Sequence, residues 1–109
     1  MGFIKREVWV NYLGDNDDMF KMIARSFIES YEMFDKKLLE IYNNGDLESC
    51  LNEIHSLKGI TLNLGMDELY TLTAKACDSI RKEKFSEEEL LNLIQIFNST
   101  YNELKTIVS

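Results

Sequence analysis

The sequence predicts an all-α protein, an antiparallel up-and-down four-helix bundle with a short extra N-terminal helix. Proline is absent and glycine occurs only five times in 109 residues, which permits long helices and disfavours sheet-rich folds. Apolar residues recur at intervals of three, four or seven along four long stretches. Because short connections join these stretches, successive helices should run antiparallel. We therefore expect one domain over residues 1–109, with a capping helix in residues 1–14 and the bundle over residues 15–108.

The first half of the chain is predicted to contain one short and one long helix. Residues 3–13 place apolar side chains at mostly helical intervals, and Trp9 is expected to fill one end of the core. The acidic residues at 15–18 suit the cap and first turn of the next helix. From there one long helix is predicted up to residues 43–45, with a bend near Ser30. Its apolar positions are Phe20, Ile23, Phe27, Tyr31, Phe34, Leu38 and Ile41.

The second half is predicted to contain three more helices, each with its own start or stop signal. Asp46 can cap the first of them, and Gly65 can end it in the left-handed conformation. The second helix starts at Asp67 and ends in the basic residues at 81–84. The last one starts at the capping box formed by residues 86–89. The inward positions of these last two helices are Leu69, Leu72, Thr73, Ala76 and Ile80, then Leu90, Leu93, Ile94, Phe97, Tyr101, Leu104 and Val108.

Composition excludes several classes of function. A net charge of −7 and a pI near 4.7 disfavour binding to nucleic acid or to an anionic membrane, since either needs a basic patch. No run of 18 apolar residues is present, and residues 1–7 lack the apolar core of a signal peptide, so the expected location is the cytoplasm. Cys50 and Cys77 each fall within a helical apolar pattern, which predicts two half-buried free thiols rather than a disulfide or a metal site.

The only histidine of the chain, His55, lies in the middle of a predicted helix. It is one residue, about 100° of rotation, away from the apolar stripe, so we expect it at the edge of the buried face and open to water. Lys58 and Gly59 follow at the spacings that make helix residues neighbours. A glycine inside a helix costs roughly 1 kcal/mol relative to alanine, and here it leaves room for another backbone beside the imidazole. The same strip of the helix carries Asn52, Ser56 and Leu62.

Residues 55–59, His-Ser-Leu-Lys-Gly, followed by Leu64-Gly65, closely resemble the H-x-L-K-G…L-G signature of histidine-containing phosphotransfer (HPt) domains. The resemblance extends more loosely over residues 15–108. It implies that His55 is phosphorylated, that Lys58 steadies the phosphoryl group, and that Gly59 lets a partner dock. Asn52, Ser56 and Leu62 are the further docking residues that we expect. The chain departs from the family at Ile60 and Leu62, where small residues are frequent, and at Cys77, where a polar residue often faces the histidine.

This resemblance implies a function as an intermediate in a multistep two-component phosphorelay. His55, through Nε2, would accept a phosphoryl group from an aspartate of one receiver domain and pass it to another. The expected partners are response-regulator receiver domains, with a hybrid histidine kinase as a candidate source. The chain would be a monomeric carrier rather than an enzyme, with no cofactor or metal of its own, because Mg²⁺ in the receiver supplies much of the catalysis.

The sequence also allows other interpretations of His55. A lone histidine at a helix edge is most often an ordinary boundary residue, and only its spacing to Lys58 and Gly59 favours chemistry. A di-iron site is disfavoured because Asn52 stands where a Glu-x-x-His pair needs a glutamate. Haem ligation by His55 and a methionine stays open in principle, although no methionine spacing supports it. The main alternative is a helical adaptor that binds signalling partners without carrying phosphate.

Overall fold

The protein is all-helical. The computed structural model describes residues 2–109, and these contain no strand, so that only residue 1 of the predicted domain lies outside the described part. A 3₁₀ turn at Leu62–Leu64 extends the helix that carries His55. The α-helices are α1 (Arg6–Leu13), α2 (Asp17–Ser30), α3 (Phe34–Asn43), α4 (Leu47–Thr61), α5 (Asp67–Arg81) and α6 (Glu87–Val108).

Three of the helices begin at side chains that cap them. Asn16 accepts a hydrogen bond from the Met19 N–H at the start of α2, which places the cap one residue before the acidic first turn. Asp46 and Ser86 do the same for α4 and α6, as the sequence predicts. Local signals therefore fix where these helices start.

The prediction of one long helix between residues 18 and 43 is wrong. Helix α2 ends at Ser30 and α3 begins at Phe34, with a turn of three residues between them. The carbonyl of Ile28, which residue 32 would satisfy in a continuous helix, accepts a hydrogen bond from the Tyr101 hydroxyl at 2.7 Å instead. A side chain of α6 thus replaces a helical hydrogen bond at the interruption.

The core is apolar and rich in aromatic side chains. Trp9 is buried and stacks on Phe20, with ring centroids 4.5 Å apart. Cys50 and Cys77 are free, as predicted, but both are fully buried within the core rather than half-buried. The remaining buried apolar residues are Ala24, Phe27, Phe34, Leu38, Ile54, Leu57, Leu64, Met66, Leu69, Ala76, Ile80, Leu90, Leu93, Phe97, Tyr101 and Leu104.

Helix α4 is held between two neighbours, α3 and α5. Helix α6 packs against α2, α3 and α5, so that it lies on the other side of the core. Helix α1 packs on the 3₁₀ turn and on α2. Its start is fixed because the Lys5 N–H donates to the Gly65 carbonyl at 2.9 Å. The Glu103 carboxylate of α6 also accepts from the N–H groups of Phe3 and Ile4.

None of the helices in residues 2–109 combines the length and the apolar character that a membrane span requires.

Candidate functional site

Helix α4 presents His55 to solvent. Its buried side consists of Cys50, Ile54, Leu57 and Thr61, and His55, one residue beyond Ile54, is exposed as the apolar spacing predicts. The start of the helix is fixed by Asp46, which accepts hydrogen bonds from both the N–H and the hydroxyl of Ser49. These hydrogen bonds lower the pKa of the Asp46 carboxyl. The helix therefore offers a rigid support for an accessible imidazole.

His55 is one of the residues that line a shallow pocket of about 200 Å³ in the carboxyl-terminal half of α4. Residues from α1, α4, the 3₁₀ turn and α5 contribute to it. Among the described residues, no aspartate or glutamate lines this pocket, although the chain as a whole carries a net charge of −7. The lining residues are Tyr12, His55, Lys58, Gly59, Leu62, Asn63 and Tyr70.

Lys58 supplies the positive charge of this pocket. Its side chain is partly exposed and forms no ion pair within residues 2–109, as is true of most lysines of the chain; those that do pair with a carboxylate are Lys5, Lys37 and Lys82. The Lys58 Nζ lies 5.9 Å from the centroid of the Tyr70 ring on α5. An anion bound at His55 would therefore meet a cation whose charge no carboxylate neutralises.

The two glycines of the motif have different structural roles. A Cβ added to Gly59 would meet no atom within 4 Å, so the fold has no packing need for glycine there. Gly65 adopts the left-handed conformation, with φ of 75° and ψ of 19°, and ends the 3₁₀ turn as predicted. A Cβ at Gly65 would also collide with the backbone of Lys5. Gly65 is therefore explained by the fold, while Gly59 is not.

The three other predicted site residues have different places around His55. Leu62 is partly exposed and lines the pocket. Asn52 and Ser56 are exposed on α4, but neither lines the pocket. By helical rotation they lie on the side of His55 that is turned away from Lys58. Any contact that they make with a partner would be beside the pocket rather than in it.

Cys77, at the position where HPt domains often have a polar residue, and the nearby Lys75 do not line the pocket of His55. Cys77 is fully buried, and burial raises the pKa of its thiol. Lys75 lies on another side of α5, where it lines a groove together with the start of α6. Neither residue therefore supports His55 directly.

Three pocket residues were not predicted from the sequence. Asn63 follows the motif closely, but its amide has no distinctive spacing. Tyr70 stands in the first turn of α5. Tyr12, one of the residues spaced at mostly helical intervals in residues 3–13, is 56% exposed. No local signal could have found the two tyrosines, because they reach His55 only through the packing of α1 and α5 near the 3₁₀ turn.

The described residues contain no group of three or more histidine, cysteine, aspartate or glutamate side chains arranged to hold a metal ion. No family model, curated protein or solved structure matches the chain.

Proposed function

We propose that the chain is a phosphorelay intermediate of the HPt kind, which carries a phosphoryl group on His55 between receiver domains. The observation that carries this proposal is the composition of the pocket: an exposed imidazole beside an unpaired lysine, with no carboxylate in the lining. A boundary histidine without a function needs neither feature. A site for an anionic group on the ring needs both.

The proposed transfer forms one bond and breaks one bond. The lone pair of Nε2 of a neutral His55 ring attacks the phosphorus of an aspartyl phosphate on the receiver. The N–P bond forms while the P–O bond to the aspartyl carboxylate breaks, and that carboxylate leaves with the electron pair. The Nδ1 proton stays on the ring, so that no external base is required. The reverse sequence passes the phosphoryl group to a second receiver.

The roles of the neighbouring residues follow from their places. Lys58 would offset the charge that the phosphoryl group brings to the ring. Gly59 would leave space for the receiver backbone, and Leu62, Asn52 and Ser56 would contact the receiver around the imidazole. Positioning and electrostatics dominate phosphoryl transfer, and Mg²⁺ held by the receiver would supply much of the rest. The chain would then be a carrier rather than an enzyme.

The same proposal includes a finer description of the fold. Helices α2 and α3 together would occupy the position of one helix in an antiparallel four-helix bundle. Helices α4, α5 and α6 would be the other three, and α1 would lie across one end. Contacts of α4 with α3 and α5, and of α6 with α2 and α5, support this arrangement. A monomer would suffice, since one chain builds the whole pocket. The proposed partners are receiver domains and a hybrid histidine kinase as the source of the phosphoryl group, and the location that we propose with them is the cytoplasm.

Phosphoryl transfer from a receiver tests the function directly. The protein is mixed with a receiver domain labelled on its aspartate, in the presence of Mg²⁺. We expect label on the protein that is labile in acid and stable in base, as a phosphohistidine is. His55→Gln removes the only histidine and should abolish the label.

A matched control separates the pocket from the mere presence of a histidine. Ser99 is exposed on α6, away from the pocket. Ser99→Gln should be labelled like the wild type, while the double variant His55→Gln/Ser99→His should stay unlabelled although it carries an exposed histidine. Binding of the receiver without any label on the wild type would favour the adaptor function instead.

A further inference from the structure

Lys58 lines the same pocket as His55 and has no carboxylate partner within residues 2–109. Its Nζ lies 5.9 Å from the ring centroid of Tyr70, within the range at which an aromatic face attracts a cation. By contrast, Lys5 pairs with Asp67 at 3.0 Å and Lys37 pairs with Glu53 at 3.3 Å. The Lys58 ammonium thus lies beside an aromatic ring rather than beside an anion.

The difference has an electrostatic consequence. A carboxylate beside Lys58 would cancel its charge and would repel an incoming phosphoryl group. An aromatic ring attracts the ammonium through its quadrupole and leaves the net charge of the pair at +1. The positive charge of Lys58 also reaches Cys77: burial raises the pKa of that thiol, while Arg81 and Lys58 lower it in part.

The backbone around Tyr70 is well fixed. Its N–H donates to the Met66 carbonyl at 2.9 Å, and its carbonyl accepts from the Thr73 hydroxyl at 2.9 Å. Met66 and Thr73 are fully buried. The ring of Tyr70 thus stands on a rigid turn that follows directly on the reversal at Gly65.

We propose that Tyr70 is a positioning residue, whose ring keeps the Lys58 ammonium on the His55 side of the pocket so that it meets a phosphoryl group carried by the imidazole. This role rests on the proposed phosphotransfer. It requires the aromatic ring and not the hydroxyl, and it acts only through Lys58. Both properties distinguish it from a general contribution of Tyr70 to folding or to partner contact.

The first measurement needs no phosphate. In protein labelled at lysine, the NMR signals of the Lys58 side-chain CH₂ groups should be shifted by the Tyr70 ring current. Tyr70→Leu should remove this shift, Tyr70→Phe should keep it, and Tyr12→Leu, which changes the other tyrosine of the pocket, should leave it in place. Loss of the shift in Tyr70→Phe, or no shift in the wild type, would overturn the proposed contact.

The second measurement is the rate at which His55 accepts label from a phosphorylated receiver. An attraction of the strength typical for an exposed cation and ring predicts a rate about two- to fivefold lower in Tyr70→Leu. Tyr70→Phe should match the wild type, and Tyr70→Leu should have no effect once Lys58→Met is present. If Tyr70→Leu lowers the labelling rate equally in the wild-type protein and in the Lys58→Met variant, the positioning role is overturned.

The two proposals fail in different ways. A wild-type protein that takes up no label overturns the phosphotransfer and with it the role of Tyr70 in that reaction. A wild-type protein that is labelled, together with a Tyr70→Leu variant labelled at the same rate, overturns the role of Tyr70 alone. Thermal unfolding of each variant shows whether a change in rate comes from loss of folded protein.

Discussion

Gly59 and Gly65 both belong to the motif, but only one of them is required by the backbone. Gly65 has a positive φ and lies against the backbone of Lys5, so that any side chain there would strain the turn. Gly59 lies within α4 with open space where a Cβ would be. The fold therefore does not explain Gly59, whereas the proposed docking of a receiver would explain it.

Substitutions at Gly59 should therefore separate stability from transfer. Gly59→Ala should raise the free energy of unfolding by about 0.5–1 kcal/mol, because alanine loses less backbone entropy in a helix. Gly59→Gln should also remain folded, yet its longer side chain should slow label transfer from a receiver by steric exclusion. Denaturant unfolding and the transfer rate are measured on the same samples.

Gly65→Ala is the matched control for this pair. The left-handed φ and the contact with Lys5 predict a loss of stability of more than about 1 kcal/mol. If Gly59→Gln transfers as fast as the wild type, the clearance role of Gly59 is wrong. If Gly59→Ala destabilises the protein, the helix needs this glycine for a reason that its surroundings do not show.

For single residues, the sequence predicted the features that depend on one segment of the chain. It did not predict the features that depend on packing between distant segments. The exposure of His55 and the left-handed Gly65 follow from spacing and residue type within one segment. Tyr12 and Tyr70 are 43 and 15 residues away from His55 along the chain, and only the packing of α1 and α5 brings them to the pocket. An exposed tyrosine at the end of a helix has the same local pattern as a buried one.

At the scale of elements, the interruption between α2 and α3 shows where periodicity misleads. Phe27, Tyr31, Phe34 and Leu38 continue a helical spacing through the interruption, and neither glycine nor proline marks it. Tyr31 stacks on Phe27 at 4.5 Å and also contacts Phe34 and Phe97. The aromatic core thus stays continuous although the helix does not. The hydroxyl that satisfies the Ile28 carbonyl comes from a residue 73 positions later, which no local pattern could predict.

Tyr101→Phe should lower the free energy of unfolding by about 0.5–1.5 kcal/mol, since it leaves the Ile28 carbonyl without this donor. Burial, and secondarily the charge of Glu32, raises the pKa of Tyr101 above its ordinary value. The protonated hydroxyl therefore stabilises the fold below about pH 10, and this contribution is lost as the pH rises through the raised pKa. Denaturant unfolding of both proteins between pH 7 and pH 11 measures the difference.

The advantage of tyrosine over phenylalanine should be constant near neutral pH and should shrink in alkali. A Tyr101→Phe variant as stable as the wild type at pH 7 would show that water satisfies the Ile28 carbonyl equally well. If the stability difference between the wild type and Tyr101→Phe grows above pH 10, the raised pKa of Tyr101 is contradicted.

At the scale of the whole molecule, the stabilising core and the candidate site occupy different places. The aromatic cluster joins α2, α3 and α6, with Phe97 between Phe34 at 4.7 Å and Tyr101 at 5.7 Å. The His55 pocket lies outside it, on α4, α5 and the end of α1. The pocket also has no acidic lining among the described residues of an acidic chain. We therefore expect that substitutions can alter the stability of the protein and the proposed transfer separately.

Phe97→Leu and Lys58→Met test this separation as a pair. Phe97 is 2% exposed, and a leucine leaves part of its volume unfilled, which should lower the free energy of unfolding by about 1–2 kcal/mol. Label transfer per folded molecule should stay at the wild-type rate, because α6 contributes nothing to the pocket. Lys58→Met should show the opposite pattern, with stability within about 0.5 kcal/mol of the wild type and slower transfer. Denaturant unfolding and transfer rates at 25 °C are compared for both variants. If Phe97→Leu is fully folded but transfers label slowly, core packing sets the geometry of the pocket. Stability and transfer then depend on the same residues, and the proposed separation is wrong.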